Sequence, residues 1–250
     1  MPLKRYRTHE CVLPSTKVLD ELGEAIRTST MTPTDWAVFR ELSREWWRTL
    51  NSIETEIKNL FSGSDFNIAS RMKNFGTLRE KLSRTTLKLS EVRDIIGCRV
   101  VVLNQNEDQD LVVSRITKSI QAEKFKIIDR RINSNHGYRA VHIELRIDRI
   151  RLEIQVRTAI QDLWASTSEA FGELVGRGVR YGKEIELERF SAHELILILQ
   201  IETGLASASN KIGEVFAKHY KQDSTEIREI HSELDVINSL IANTDWGLQS

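Results

Sequence analysis

The nine residues Ile150, Arg151, Leu152, Glu153, Ile154, Gln155, Val156, Arg157 and Thr158 alternate apolar and polar side chains without a break. As a β-strand they set Leu152, Ile154 and Val156 on one face and Arg151, Glu153, Gln155 and Arg157 on the other. The apolar face requires a core. An ordinary solvated face tolerates any polar residue, whereas this one sets a carboxylate and an amide between two guanidinium groups. Such a row can hold a metal ion, a phosphate and a hydroxyl together. Taken alone, it reads rather as an edge strand whose paired charges face water.

The rest of the chain supplies its context. Residues 16–27 predict a helix with Val18, Leu22 and Ile26 on one face. Thr32 as N-cap, Pro33 at the first helical position and Asp35 in the first turn start a second helix. Trp36, Phe39, Trp46, Leu50, Ile53, Ile57 and Leu60 continue it as a long amphipathic element, with Trp46 and Trp47 read as packing residues. A third helix is predicted over 68–83, with Arg71 and Lys73 near its start, where the helix dipole favours an anion. Strands are predicted over 98–103, 125–131 and 138–147, and a helix over 111–122. Short strands and helices that alternate and end in a hairpin argue for a mixed α+β sheet. Beyond Ala159 the chain reads as helical, interrupted over 172–183 by a glycine-rich basic loop. A long helix is predicted over 185–218, and a last one carries a coiled-coil-like seam of Ile227, Ile230, Leu234, Ile237 and Ile241, for which packing on the chain's own core is preferred to a partner helix.

Composition narrows the function classes. The 36 basic and 36 acidic residues of the 250 cancel, so no global field commits the chain to nucleic acid or membrane. Cys11 and Cys98 are far apart and lack metal-site spacing, which excludes a zinc site and a disulfide framework. No apolar run is long enough to span a bilayer, and the basic stretch Lys4 to Arg7 is not followed by the apolar core of a signal peptide. The expectation is a cytoplasmic protein without membrane contact. No Walker loop, kinase glycine loop or nucleophile elbow occurs. Side chains must therefore handle any phosphate.

Four polar clusters fall at the edges of one sheet: Arg71 and Lys73 with Thr77 and Lys81; Asp94, Ile95, Ile96, Gly97, Cys98 and Arg99; Gly137, Tyr138, Arg139, Ala140, Val141 and His142; and Glu153 to Thr158. In this order they resemble the synthetase domain of the RelA/SpoT family, which makes the alarmone nucleotides (p)ppGpp. The resemblance runs over about 68–170, and the two sharpest matches are 94–99 and 153–158. Trp164, Ala165, Ser166 and Glu169 look like the family's helix after the catalytic strand. The implied fold is α+β, a mixed β-sheet of nucleotidyltransferase type flanked by helices. It divides into an N-terminal helical region (1–66), a synthetase core (67–183) and a C-terminal helical region (184–250).

The implied reaction transfers the β,γ-pyrophosphate of ATP to a ribose 3′-hydroxyl of GDP or GTP and releases AMP. Asp94 and Glu153 match the family's acidic pair, which holds Mg²⁺, and Glu153 also takes the hydroxyl proton. Arg71, Lys73, Thr77, Lys81 and Arg99 match positions on the ATP side, and Arg99 counts with the catalytic set. Tyr138 matches the tyrosine that stacks on the acceptor base, and His142, Gln155 and Arg157 complete the acceptor side. Several features depart from the family. Residues 132–136 lack the usual lysine and proline before Gly137, Ala170 stands where a histidine often follows the glutamate, and Thr77 replaces a common serine. No His-Asp dipeptide occurs, so the hydrolase domain is expected to be absent and the chain to be a stand-alone small synthetase.

Two further readings stay open. Toxin-type relatives place pyrophosphate on the 3′-end of tRNA or on adenine nucleotides. Here Lys4, Arg5 and Arg7, the cluster Arg130, Arg131 and Arg139, and 177–183 would follow the tRNA backbone, and an antitoxin would be the partner. The other reading is a non-catalytic nucleotide-binding module. A homo-oligomer through the terminal helices is a fair expectation under all three.

Overall fold

The computed structural model describes residues 13–63, 65–103, 109–217 and 225–247, and the basic arm at Lys4 to Arg7 lies outside them. Five strands, β1 (Phe66–Met72), β2 (Ile96–Val102), β3 (Lys124–Asp129), β4 (Val141–Ile147) and β5 (Ile150–Thr158), form one mixed sheet in the order β1-β2-β5-β4-β3. The alternating stretch is thus the central strand. Leu152, Ile154 and Val156 are fully buried on its apolar face. β4 and β5 are joined by the two-residue turn Asp148–Arg149, both at positive φ (45° and 70°), the backbone that matches the twist of a hairpin. Arg149 is a costly residue for that conformation, and its guanidinium is tied to the carbonyls of Leu13 (3.3 Å) and Pro14 (2.8 Å).

The chain divides into two compact units. Among the described residues, one contains 13–63, 65–100, 109–128 and 142–156; the other contains 101–103, 129–141, 157–217 and 225–247. In the first, α2 (Pro33–Leu60) packs on β1, α1 (Thr16–Thr28) packs on α2 and on α3 (Phe75–Arg84), and α4 (Gln109–Ser119) packs on α2. The capping box that starts α2 is formed: the Thr32 amide donates to Asp35 Oδ2 (2.8 Å) and the Asp35 amide to Thr32 Oγ1 (3.2 Å). The stripe Leu42, Trp46, Leu50, Ile53 and Ile57 is buried, whereas Trp47 is 49% exposed, so only one of the paired tryptophans packs inward.

In the second unit, α5 (Ala159–Val175), α6 (Ala192–Ala217) and α7 (Thr225–Asn243) pack on one another around Trp164, Phe171, Ile201, Leu205, Ile230, Leu234 and Ile237. The seam of α7 is therefore used within the chain, as preferred above. No helix among the described residues is long and apolar enough to cross a membrane.

Three sequence expectations need correction. The helix expected over 68–83 is β1 followed by α3. Residues 66–72 alternate half-buried with exposed, and Asn74 caps α3 by accepting from the Thr77 amide at 2.8 Å. Arg71 and Lys73 consequently precede the helix, on β1 and in the link. The strand expected over 138–147 begins only at Val141, because His136 and Gly137 make a tight turn at φ 50° and 84°. Asn135 and Tyr138 exchange backbone hydrogen bonds of 3.2 and 3.0 Å across it. The interruption expected over 172–183 lies later and is longer: α5 runs to Val175, 3-10 turns occupy Arg177–Tyr181 and Leu187–Arg189, and the helix expected from 185 starts only at Ala192, as α6.

Candidate active site

In the first unit, the segment entering β2 and the polar face of β5 carry the two carboxylates singled out from sequence. Asp94 receives Lys81 Nζ at 2.6 Å on Oδ1 and Lys73 Nζ at 3.2 Å on Oδ2. Lys73 is held in register by its own amide, which donates to the Ile95 carbonyl at 2.8 Å. Burial raises the proton affinity of Asp94, but the charge of Lys73 and the hydrogen bond and charge of Lys81 outweigh it, so the carboxyl titrates below its ordinary value.

Glu153 projects from the middle of β5. His142 Nδ1 lies 2.6 Å from its Oε1, and Gln155 Nε2 donates to its Oε2 at 2.7 Å. Burial pushes this carboxyl up, as does the charge of Asp94. The hydrogen bond and coulombic pull of His142 and the bond from Gln155 hold it below its ordinary value all the same. The two carboxylates thus feel one another's charge, and each is held ionised by its own donors. Gly97 lets the backbone of β2 lie close to β5 here: a Cβ there would stand 2.8 Å from the carbonyl oxygen of Glu153.

The remaining residues expected on the ATP side divide. Arg99 is half-buried on β2, Arg71 is exposed on β1, and the Thr77 hydroxyl donates to the Asn74 carbonyl at 3.0 Å as part of the α3 cap. His142 was assigned to the acceptor, yet it lies against Glu153. The signal for this was in the sequence: the two-residue turn puts His142 on the same sheet face as Glu153 and Gln155.

In the second unit, Arg157 closes the polar row of β5. Its guanidinium, 3% exposed, sits 5.0 Å from the centroid of the Tyr138 ring and donates through Nη2 to Tyr138 Oη (3.1 Å). Nη1 donates to Asp162 Oδ1 at 2.8 Å. Burial disfavours this charge, but Tyr138 and Asp162 more than offset it and raise its pKa. Asp162 escaped the sequence reading, although the N-cap residue Thr158 fixes the start of α5 and so puts Asp162 in its first turn. Two of the three arginines expected to face tRNA are committed within the fold. Arg139 is buried, and Arg131 is paired with Asp129 at 2.5 Å.

Among the described residues no group of three or more metal-ligating side chains exists. Two hard carboxylates do suit Mg²⁺, which commonly takes one or two protein carboxylates and completes its shell with substrate phosphates and water.

Comparison with known proteins bears on the family and the fold. Residues 70–171 match the region found in RelA and SpoT proteins, a span that contains Asp94, Arg99, Tyr138, His142, Glu153 and Arg157. An uncharacterized protein of Mycobacterium tuberculosis is 33% identical over 175 residues, covering 69% of this chain and 64% of that protein, so the chain spans less than two thirds of that relative's length. The Bacillus subtilis protein named GTP pyrophosphokinase YwaC is 29% identical over 143 residues, covering 46% of this chain and 62% of that protein. The solved structure of a GTP pyrophosphokinase family protein from Streptococcus pneumoniae superposes with a TM-score of 0.56 at 18% identity, covering 86% of this chain and 100% of that one. At that identity the likeness speaks for the fold. Residues 70–171 of this chain thus carry the region found in RelA and SpoT proteins.

Proposed function

We propose that the chain is an ATP-dependent pyrophosphokinase that transfers the β,γ-pyrophosphate of ATP to the ribose 3′-hydroxyl of GDP or GTP. The observation that carries this reading is the pair Asp94 and Glu153, coupled in charge, with Lys73 and Lys81 on one carboxylate and His142 and Gln155 on the other. In the reaction the 3′-oxygen bonds to the β-phosphorus, the bond from that phosphorus to the α,β-bridging oxygen breaks, and AMP leaves with that oxygen. Lys73 and Lys81, one salt bridge away from Asp94, are the cations available to the donor's polyphosphate. Glu153 accepts the proton of the hydroxyl. A carboxylate held this acidic stays ionised, and it takes the proton only as the hydroxyl is acidified in the transition state.

Asp94 and Glu153 would hold Mg²⁺, which when bound neutralises the moving phosphate charge. Tyr138, with Arg157 over its ring, offers a flat face for a base to stack on. The toxin-type reading finds no support in Arg139 and Arg131, whose guanidinium groups are already committed within the fold.

The test is to incubate the purified chain with Mg²⁺ and γ-labelled ATP, offering GDP, GTP, ADP and deacylated tRNA separately, and to follow AMP release and the destination of the label. Label on a guanine nucleotide is the expected result. Label on tRNA or ADP assigns the toxin-type activity instead, and no transfer to any acceptor overturns the enzymatic reading.

A further inference from the structure

Tyr138 does not stand on a strand. It ends a loop that leaves the sheet after β3 and returns at β4, closed by the Arg130 amide on the Ala140 carbonyl (2.9 Å) and by the reciprocal Asn135–Tyr138 bonds. Much of the loop's inner side borders a cavity of about 240 Å³, lined by Ser134, His136, Gly137, Trp164, Leu205 and Ser209 among others. Gly137 lies close against Trp164 and Tyr138 packs on the helical core, and hydrogen bonds add to this packing.

Those bonds converge on one side chain. Arg139, only 6% exposed, donates through Nε to the Ser209 carbonyl (2.9 Å) and to Ser209 Oγ (3.3 Å) on α6. Its Nη1 donates to the carbonyls of Ile132 (2.6 Å) and Arg131 within the loop. Ser209 Oγ in turn donates to the Gly137 carbonyl at 2.7 Å, one residue before the tyrosine. One turn further along α6, Gly213 leaves space for the guanidinium: a Cβ there would lie 2.5 Å from Nη2. A planar fork of donors satisfies three carbonyls on two segments at once, which a lysine ammonium on a flexible stem cannot reproduce.

We propose that Arg139 and Ser209 are positioning residues that latch the Tyr138 loop onto α6, so that the C-terminal helices set the geometry of the acceptor platform. The latch is read from contacts alone. Its consequence for the acceptor rests on the role proposed above for Tyr138. In this arrangement anything that moves α6 alters acceptor binding and leaves the ATP side as it was.

The test uses Arg139→Lys and Ser209→Ala in the full chain with two readouts. Without any nucleotide, hydrogen exchange of the amides in 131–139 is expected to quicken in both variants while that of α5 stays as in the parent. In initial rates, the KM for the guanine nucleotide is expected to rise on the order of tenfold in Arg139→Lys and about threefold in Ser209→Ala, with the KM for ATP and kcat unchanged. If Arg139→Lys loses its cooperative melt, Ser209→Ala decides alone. Unchanged exchange, or a fall in kcat with the acceptor KM unmoved, overturns the proposal. If the parent transfers pyrophosphate to no acceptor, it is the proposed reaction that fails, and the exchange measurement still judges the latch.

Discussion

Gly97→Ala places a methyl group 2.8 Å from the carbonyl oxygen of Glu153, where about 3.3 Å or more is normal for such a contact. The oxygen belongs to the backbone of β5, which is paired with β2 on one side and β4 on the other. Neither group can turn away, so relief requires the strands to part by roughly half an ångström. Overpacking of this kind costs about 1–3 kcal/mol, and the stiffer unfolded chain returns somewhat under 1 kcal/mol. The net expectation is a loss of about 1–2 kcal/mol, read as a lower urea midpoint with an unchanged slope. The displaced segment carries Glu153 itself. A misplacement of about 1 Å can cost a factor of about 100, so half of that predicts roughly tenfold in kcat/KM for AMP release. Gly76→Ala serves as the contrast: it lies in α3, its nearest neighbour is 3.4 Å away, and alanine there is expected to be neutral or stabilising by up to about 1 kcal/mol. A Gly97→Ala protein matching its parent in both midpoint and rate would show that β5 has room to move, and the argument from close approach would be wrong.

Asp162→Asn leaves the buried Arg157 charge without its carboxylate and should cost about 3 kcal/mol in urea unfolding; a cost under about 0.5 kcal/mol would mean that the pair is effectively solvated. Asp94 and Glu153 both titrate below their ordinary values in the folded chain. Their stabilisation is therefore complete above the unfolded value of about 4 and is lost as the pH falls through the lower folded values. Urea midpoints measured from pH 6 down to 3 should fall at the acid end, and less steeply in Asp94→Asn; equal slopes would remove Asp94 from the account. Burial, with the charge of Glu54 adding to it, pushes the Cys98 thiol up to about 12. Peptide mapping after iodoacetamide at pH 8 should find Cys98 unmodified in the native chain and alkylated in urea, and native labelling at the unfolded rate would contradict its burial.

Much of this fold was legible because period and caps carried it. The alternation from Ile150 to Thr158 matched β5 residue for residue, and Thr32, Pro33 and Asp35 marked the start of α2 correctly. The failures lie where tertiary contacts override a local pattern. Residues 66–72 carry the polar positions Asn67, Ser70 and Arg71, yet they are a strand at the sheet's edge, covered by α2, with Ser70 bonded to Glu54. Tyr138 lies next to residues of good strand propensity, but the turn at His136 and Gly137 takes it out of the ladder. For the site, the charge pairs Lys81–Asp94 and His142–Glu153 join residues 13 and 11 apart. The hairpin register brings His142 to Glu153, but only the packing of α3 brings Lys81 to Asp94, so motif spacing named that pair's members without their partnership. Arg139 shows the reverse case. Read as one of a basic cluster it suggested nucleic acid, and only its burial reveals that its donors face backbone carbonyls.

The division of labour along β5 explains why so short a stretch can serve both fold and site. Its odd and even positions face different environments, so Leu152, Ile154 and Val156 supply the core while Glu153 and Gln155 remain half-buried on the other face. Exchanging Glu153 for glutamine removes a charge without removing volume, and the apolar face beneath it is untouched. Chemistry at this position is therefore separable from the packing of the core, while the ionised carboxylate adds stability of its own through His142 and Gln155. Arg157 is different. It belongs to the same polar row, but it is buried, bonded to Tyr138 and Asp162, and followed directly by the N-cap residue of α5. At this end of the strand, loss of the side chain disturbs the fold and the proposed acceptor platform together. Lost activity in an Arg157 variant thus assigns no chemical role by itself, whereas lost activity in Glu153→Gln with an unchanged urea midpoint does.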